Sequence, residues 1–203
     1  MSRFTFEIGK EKLETYEWDN TWIDQAKTPG LTRVLYIGDS ISCGTRCIAT
    51  GIAEGKLYFD GFGSSKGLDN PYLKPAIELF AEQEGERAAV LFNNGLHGWH
   101  LKDDTEYKQY YEDMIKFLLE YFKETPVFIV LTTYTKGAVN ERTLIRNKVA
   151  LEIAEKYSLP VIDFYKVAEE NKDLLTGDGV HFTEDGYKKL AKTLVDKVLE
   201  VIK

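Results

Sequence analysis

The chain has 203 residues, 43% of them hydrophobic and 13% aromatic, with a formal net charge of -7 and a sequence pI near 5.1. That length suits one domain with a sizeable core, the apolar content excludes a disordered chain, and the acidic balance excludes the basic footprint of a nucleic-acid binder. No apolar run has the length needed to span a membrane, and the opening M-S-R-F-T-F-E-I-G-K-E-K lacks the apolar core of a secretion signal, so a soluble, cytoplasmic protein is expected.

Residues 1–30 read as a lead-in packed on the body, and residues 31–203 as the main domain. In the lead-in, Phe4 and Phe6 alternate with polar residues and suggest a short edge strand, Trp18 and Trp22 are spaced to pack on the body, and Pro29-Gly30 signals a turn. From Thr32 onward strand and helix patterns alternate. Strands are predicted over 33–37, 56–59, 88–92, 127–132 and 161–164. Helices are predicted over 40–53, from the Asn70-Pro71 start to 84, over 105–123 and 141–157, and from Thr183 to the end. Five strands alternating with helices imply one doubly wound parallel sheet. In the 141–157 helix, Leu144, Ile145, Val149, Ile153 and Ala154 are expected to face inward, and Glu141, Arg142 and Arg146 to form a solvated face.

The first main strand runs directly into Gly38-Asp39-Ser40. A tight turn at the carboxyl end of a parallel strand is where such sheets place chemistry, and a helix starting there offers free N–H groups to a negative charge. Ser40 is therefore either a nucleophile or a plain helix cap. Late in the chain, G-D-G-V-H-F-T puts Asp178 and His181 three apart in a glycine-flanked turn. A carboxylate on one ring nitrogen leaves the other free to take a proton from a serine hydroxyl, which is a weak nucleophile without a base. Cys43 and Cys47, four apart on the helix after Ser40, are poorly placed for a disulfide and read as small packing residues. His97 and His100 lack a third ligand at standard spacing, so neither a metal nor another cofactor is expected.

Gly38-Asp39-Ser40, the F-N-N-G-L-H loop after the third strand, and Asp178-x-x-His181 before the last helix, in that order, resemble the GDSL/SGNH hydrolase superfamily, and F-N-N-G-L-H and D-G-V-H-F-T-E-D-G-Y resemble a bacterial esterase-like branch of it. The resemblance runs from about Thr32 to Lys203. It implies a three-layer α/β/α, flavodoxin-like fold with a five-stranded, mainly parallel sheet, and a serine esterase using Ser40 as nucleophile, His181 as base and then acid, and Asp178 as its partner. It also implies an oxyanion hole made by the Ser40 N–H, a second-loop N–H and an asparagine side chain. The second block departs from the usual Asn-x-Gly, reading Asp60-Gly61-Phe62-Gly63-Ser64-Ser65; Gly63 is the expected donor, with Ser64, Ser65 or Gly67 as alternatives. The third departs from Gly-x-Asn-Asp; Asn93 is the expected side chain and Asn94 the competitor. Trp99, His97 and Tyr134 are expected to border the substrate, Trp99 as a sugar platform or a loop anchor. The expected substrate is a short acyl ester, such as an acetate, of a polar alcohol or carbohydrate. A binding protein without catalysis, using the same pocket for a small ligand or carbohydrate, is the competing reading. The expected partner is the small-molecule ester, with no nucleic acid and no membrane; homo-oligomerisation is left open.

Overall fold

In a computed structural model, residues 5–202 are described. Six strands form one sheet: β1 (Asp19–Trp22), β2 (Arg33–Gly38), β3 (Tyr58–Ser64), β4 (Ala89–Phe92), β5 (Val127–Val130) and β6 (Val161–Ile162). Their spatial order is β1-β3-β2-β4-β5-β6. All pairs are parallel except β1 with β3. Among the described residues six α-helices connect and cover them: α1 (Ser40–Ile52), α2 (Leu73–Ala81), α3 (Asp104–Tyr121), α4 (Val139–Tyr157), α5 (Phe164–Glu170) and α6 (Glu184–Val201).

Three layers follow from the two-residue period of a strand. Val34 and Tyr36 of β2 pack with Ala49 of α1 and with Leu190 and Leu194 of α6. Leu35 and Ile37 point the other way, among Leu73 and Ile77 of α2, Met114 and Leu118 of α3, and Ile153 of α4. Every residue of β2 is buried, as a central parallel strand covered on both faces requires. Each fully buried Leu or Ile side chain contributes about 1.5–3 kcal/mol to holding these layers together.

The sheet has six strands, one more than the sequence pattern implies. The sixth, β1, is exposed along its whole length and carries no hydrophobic alternation, so its sequence D-N-T-W gives no strand signal. It pairs Asn20 with Gly63 and Trp22 with Gly61, extending β3 through the glycines that read as loop. Phe6 is not in a strand, and Phe4 lies outside the described residues. Trp22 is 46% exposed rather than packed on the body. At the other edge, β6 stops at Ile162. Asp163 caps the next turn by accepting from the Lys166 N–H at 2.9 Å, and α5 replaces the expected end of that strand. Residues before β2 are tied to the sheet by Arg33 Nη1, which donates to Asp24 O at 2.8 Å and to Asp60 Oδ1 at 2.9 Å, and by the Trp18 N–H, which donates to Ser65 Oγ at 2.8 Å.

Candidate active site

β2 ends at Gly38, and the chain turns directly into α1 with Ser40 as its first residue. Asp39 caps the helix: its Oδ1 accepts from the Ile41 N–H at 2.9 Å. An α-helix leaves its first N–H groups unpaired. Because the cap takes the N–H of Ile41, the Ser40 N–H is left for another acceptor. Asp39 is buried, which pushes its carboxyl pKa up against the opposing pull of His97, the Ile41 N–H and His181.

Across the top of the sheet, the turn before α6 brings His181 to Ser40. His181 Nε2 lies 2.8 Å from Ser40 Oγ, and His181 Nδ1 lies 2.7 Å from Asp178 Oδ2. The other carboxylate oxygen of Asp178 is saturated by Thr176 Oγ1 at 2.8 Å, the Val180 N–H at 2.9 Å and the His181 N–H at 3.0 Å. These donors, the Val180 N–H foremost and then the imidazole, hold the Asp178 carboxyl well below the usual carboxylate range. With Nδ1 protonated against the carboxylate, Nε2 accepts the hydroxyl proton of Ser40. The pair is open to solvent, with the side chains of His181 and Asp178 41% and 52% exposed.

Two loops flank the Ser40 turn, one leaving β3 and one leaving β4, because β2 lies between those strands. Asn94 bridges them: its Nδ2 donates to Lys66 O at 3.1 Å. That bond ties the loop after β4 to the loop after β3 and commits one of the two amide hydrogens. Asn93 is turned inward instead. Its Nδ2 donates to Val130 O at 2.8 Å and to Thr132 Oγ1 at 3.1 Å, and with Asp39, Ile41, Thr132 and Thr133 it lines a small void beside the turn. Both Asn93 amide hydrogens are spent in the interior, so the expectation of an Asn93 amide open to an oxyanion at Ser40 is corrected: it has no uncommitted hydrogen. Gly63 is corrected as a donor on similar grounds. It lies within the ladder, in register with Asn20 and Gly38. The Ser65 N–H already donates to Trp18 O at 3.1 Å on the β1 side, and two residues earlier in an antiparallel ladder the Gly63 N–H faces the same way. What Gly63 supplies is a bare Cα: a Cβ there would collide with Cys43 Sγ and stand 3.4 Å from Trp18 Cζ3 and 3.5 Å from Asp39 O.

The sequence of residues 92–194, just over half of the chain, matches the model of the GDSL-like lipase/acylhydrolase family. The chain belongs to that family. The matched segment carries the asparagine loop, Asp178 and His181; the fold brings to them the family's Gly-Asp-Ser, here followed by Ile41 rather than leucine. No curated protein matches the sequence. Among solved structures of similar fold, a lipase/acylhydrolase from Enterococcus faecalis is 20% identical with a TM-score of 0.63, the match covering 85% of this chain and 98% of the other. An acetylxylan esterase from Geobacillus stearothermophilus is 16% identical with a TM-score of 0.64, covering 82% and 94%. A member of the lipolytic G-D-S-L family from Veillonella parvula is 19% identical with a TM-score of 0.62, covering 83% and 97%.

Other candidate residues of this GDSL-family chain have partners of their own. The Trp99 ring is not a free platform: the guanidinium of Arg142 lies 5.0 Å from its centroid and that of Arg146 5.6 Å, so Trp99 anchors its loop. The Tyr134 ring is occupied by Lys172 Nζ at 4.7 Å and by Tyr165. His97 meets the Trp18 ring edge-on, centroids 5.9 Å apart, with Glu14 Oε1 3.8 Å from its Nδ1. His100 pairs with Asp69 at 2.8 Å. Cys47 is exposed rather than packed, and Cys43 is half-buried beside Gly63. Trp18 therefore borders the Ser40 turn together with Gly63 and His97. The sequence carried no signal for this beyond an aromatic in the lead-in. Among the described residues, no helix is long and apolar enough to cross a membrane.

Proposed function

We propose that this protein hydrolyses short acyl esters, acetates first among them, of polar alcohols or sugars, through an acyl-enzyme on Ser40. The observation that carries the reading is the unbroken chain Ser40 Oγ to His181 Nε2 to His181 Nδ1 to Asp178, at 2.8 and 2.7 Å. Ser40 Oγ bonds to the acyl carbon while its proton passes to Nε2. The oxyanion so formed is met by the Ser40 N–H at the positive end of α1 and by the uncommitted hydrogen of Asn94 Nδ2. As the tetrahedral species collapses, the C–O bond to the alcohol breaks, and the Nε2 proton goes to the departing oxygen. Water then attacks the acyl-serine, giving its proton to Nε2, and the acid leaves as Ser40 recovers its own. Asp178 stays a carboxylate throughout and steadies the imidazolium.

The pH dependence follows from the depressed Asp178. A carboxyl whose folded pKa is lowered keeps its charge as pH falls and loses it only below the usual carboxylate range. Asp178 is therefore expected to add no ionisation of its own to the acid limb of kcat/KM in the ordinary carboxylate range, about pH 3.5–5. An added break in the log–log plot over that range would show Asp178 titrating there.

The solvent-open dyad supports a small, hydrated substrate, and Trp18 supports a sugar. Its half-buried indole stands beside the Ser40 turn, where a pyranose carrying the acetyl group could stack. The test is a screen of acetylated sugars against p-nitrophenyl esters of two to twelve carbons, with Trp18→Ala measured alongside. The expected result is a preference for acetates, and a rise in KM of about tenfold for the sugar acetates in the variant with little change for p-nitrophenyl acetate. Labelling with a serine-reactive phosphonate separates the enzyme from a binding protein of the same fold: modification at Ser40 supports an activated nucleophile, and tight sugar binding without modification supports the binding protein.

A further inference from the structure

The loop of residues 93–101 has no regular secondary structure, yet it is largely buried. Its carbonyls need donors, since an unpaired buried carbonyl costs about 1–3 kcal/mol, and α3 and α4 supply them from side chains. Arg146 Nη1 donates to Gly95 O at 3.0 Å and to His97 O at 2.5 Å, and its Nη2 donates to Gly98 O at 2.7 Å. The Tyr107 hydroxyl donates to Asn94 O, and the Arg146 guanidinium lies over the Tyr107 ring, 4.4 Å from its centroid. One helical turn earlier, Arg142 donates to Trp99 O at 2.9 Å and to Leu101 O. Arg146 is 2% exposed, and among the described residues no carboxylate is within ion-pairing distance of it. A buried guanidinium satisfied by main-chain carbonyls alone is costly to keep, and its rigid fork of donors fits several acceptors at fixed spacing. The neighbouring contacts set the depth of the loop. A Cβ at Gly95 would collide with Thr132 Oγ1, and the side chain of Asn147 exchanges hydrogen bonds with the Thr132 N–H and O, both at 2.8 Å.

We propose that Arg146 is a positioning residue: by gathering the carbonyls of Gly95, His97 and Gly98 around one planar cation, with Tyr107 on Asn94 O, it fixes the backbone that carries Asn94, the oxyanion donor of the proposed mechanism. This rests on the esterase reading for its kinetic arm, and Arg146 does not itself touch the substrate. The experiment compares Arg146→Lys, Arg146→Met, Asn94→Ala and the Arg146→Met/Asn94→Ala double variant with wild type on p-nitrophenyl acetate, together with amide hydrogen exchange over residues 94–98. Arg146→Met is expected to lower kcat by about ten- to a hundredfold, a large part of what one oxyanion donor is worth, with KM within about twofold. Arg146→Lys, which keeps the charge and loses the fork, is expected to fall with it. The double variant is expected to be no slower than Asn94→Ala alone, because the two residues act through one group. Exchange at 94–98 is expected to quicken in both arginine variants. Folded Arg146→Lys or Arg146→Met protein with wild-type kcat overturns the proposal, as does a double variant whose losses multiply. Should Arg146→Met not fold, Arg146→Lys alone decides. Should wild type turn over no ester, the esterase reading fails, and unchanged exchange at 94–98 overturns the proposal while faster exchange upholds the clamp.

Discussion

Replacing Ser40 with alanine is expected to lower kcat/KM for p-nitrophenyl acetate by about 10⁴–10⁶-fold, and replacing His181 with alanine by a similar amount. The two side chains are one device: a hydroxyl with no base to take its proton, or a base with no hydroxyl beside it, leaves only what oxyanion stabilisation and binding contribute. The double variant is therefore expected to be hardly slower than either single one. Ser40 and His181 meet at 2.8 Å through side chains alone, and both are at least partly exposed. Stability should thus change little, and the melting temperature of Ser40→Ala should stay within a few degrees of wild type. A folded Ser40→Ala protein with unchanged turnover would sink the proposed function, and multiplying losses in the double variant would show that the pair does not act as a unit.

Ser40 and the Asp178–His181 turn were legible because each is local. A buried apolar strand, a turn and a helix start sit within ten residues in one case, and a glycine-flanked D-x-x-H sits before a helix in the other. Their meeting was implied by the alternation of strands and helices, which brings the carboxyl ends of parallel strands to one edge of the sheet. The edge strand β1 was not legible, since D-N-T-W has no hydrophobic period and pairs through its backbone alone. The inner half of α4 misled for the opposite reason. Leu144 and Ile145 look like core residues, but they are 48% and 42% exposed, while Arg146 and Asn147 are buried. Hydrophobic period assumes that what lies beneath a helix is apolar. Beneath this turn of α4 lie the carbonyls of an irregular loop and the end of β5, and they require donors. A polar inward face on one helix is thus the counterpart of a loop without secondary structure in another part of the chain, and it is visible only once the two are brought together.

The same logic distinguishes the partners of Asn93 and Asn94, which sequence alone left as competitors. Asn93 continues the direction of β4: its N–H still donates to Ile37 O at 3.0 Å, like a strand residue, and its side chain enters the interior, where Val130 O and Thr132 Oγ1 take both amide hydrogens. The side chain of the next residue leaves toward the loop after β3 instead, and its amide donates to Lys66 O with one hydrogen to spare. Asn94→Ala is accordingly expected to lower kcat by about 10²–10³-fold, or about 3–4 kcal/mol of transition-state stabilisation, with KM and melting temperature little changed. Asn93→Ala is expected to do the reverse. It leaves two buried acceptors without their donor, costing about 1–3 kcal/mol of stability, while the folded fraction retains kcat within a few-fold of wild type. Steady-state kinetics and thermal melts on the two variants read both axes at once. A kcat loss confined to Asn93→Ala would reassign the oxyanion donor to the inner asparagine. It would also mean that catalysis draws on an amide hydrogen the resting structure keeps bonded to Val130 and Thr132.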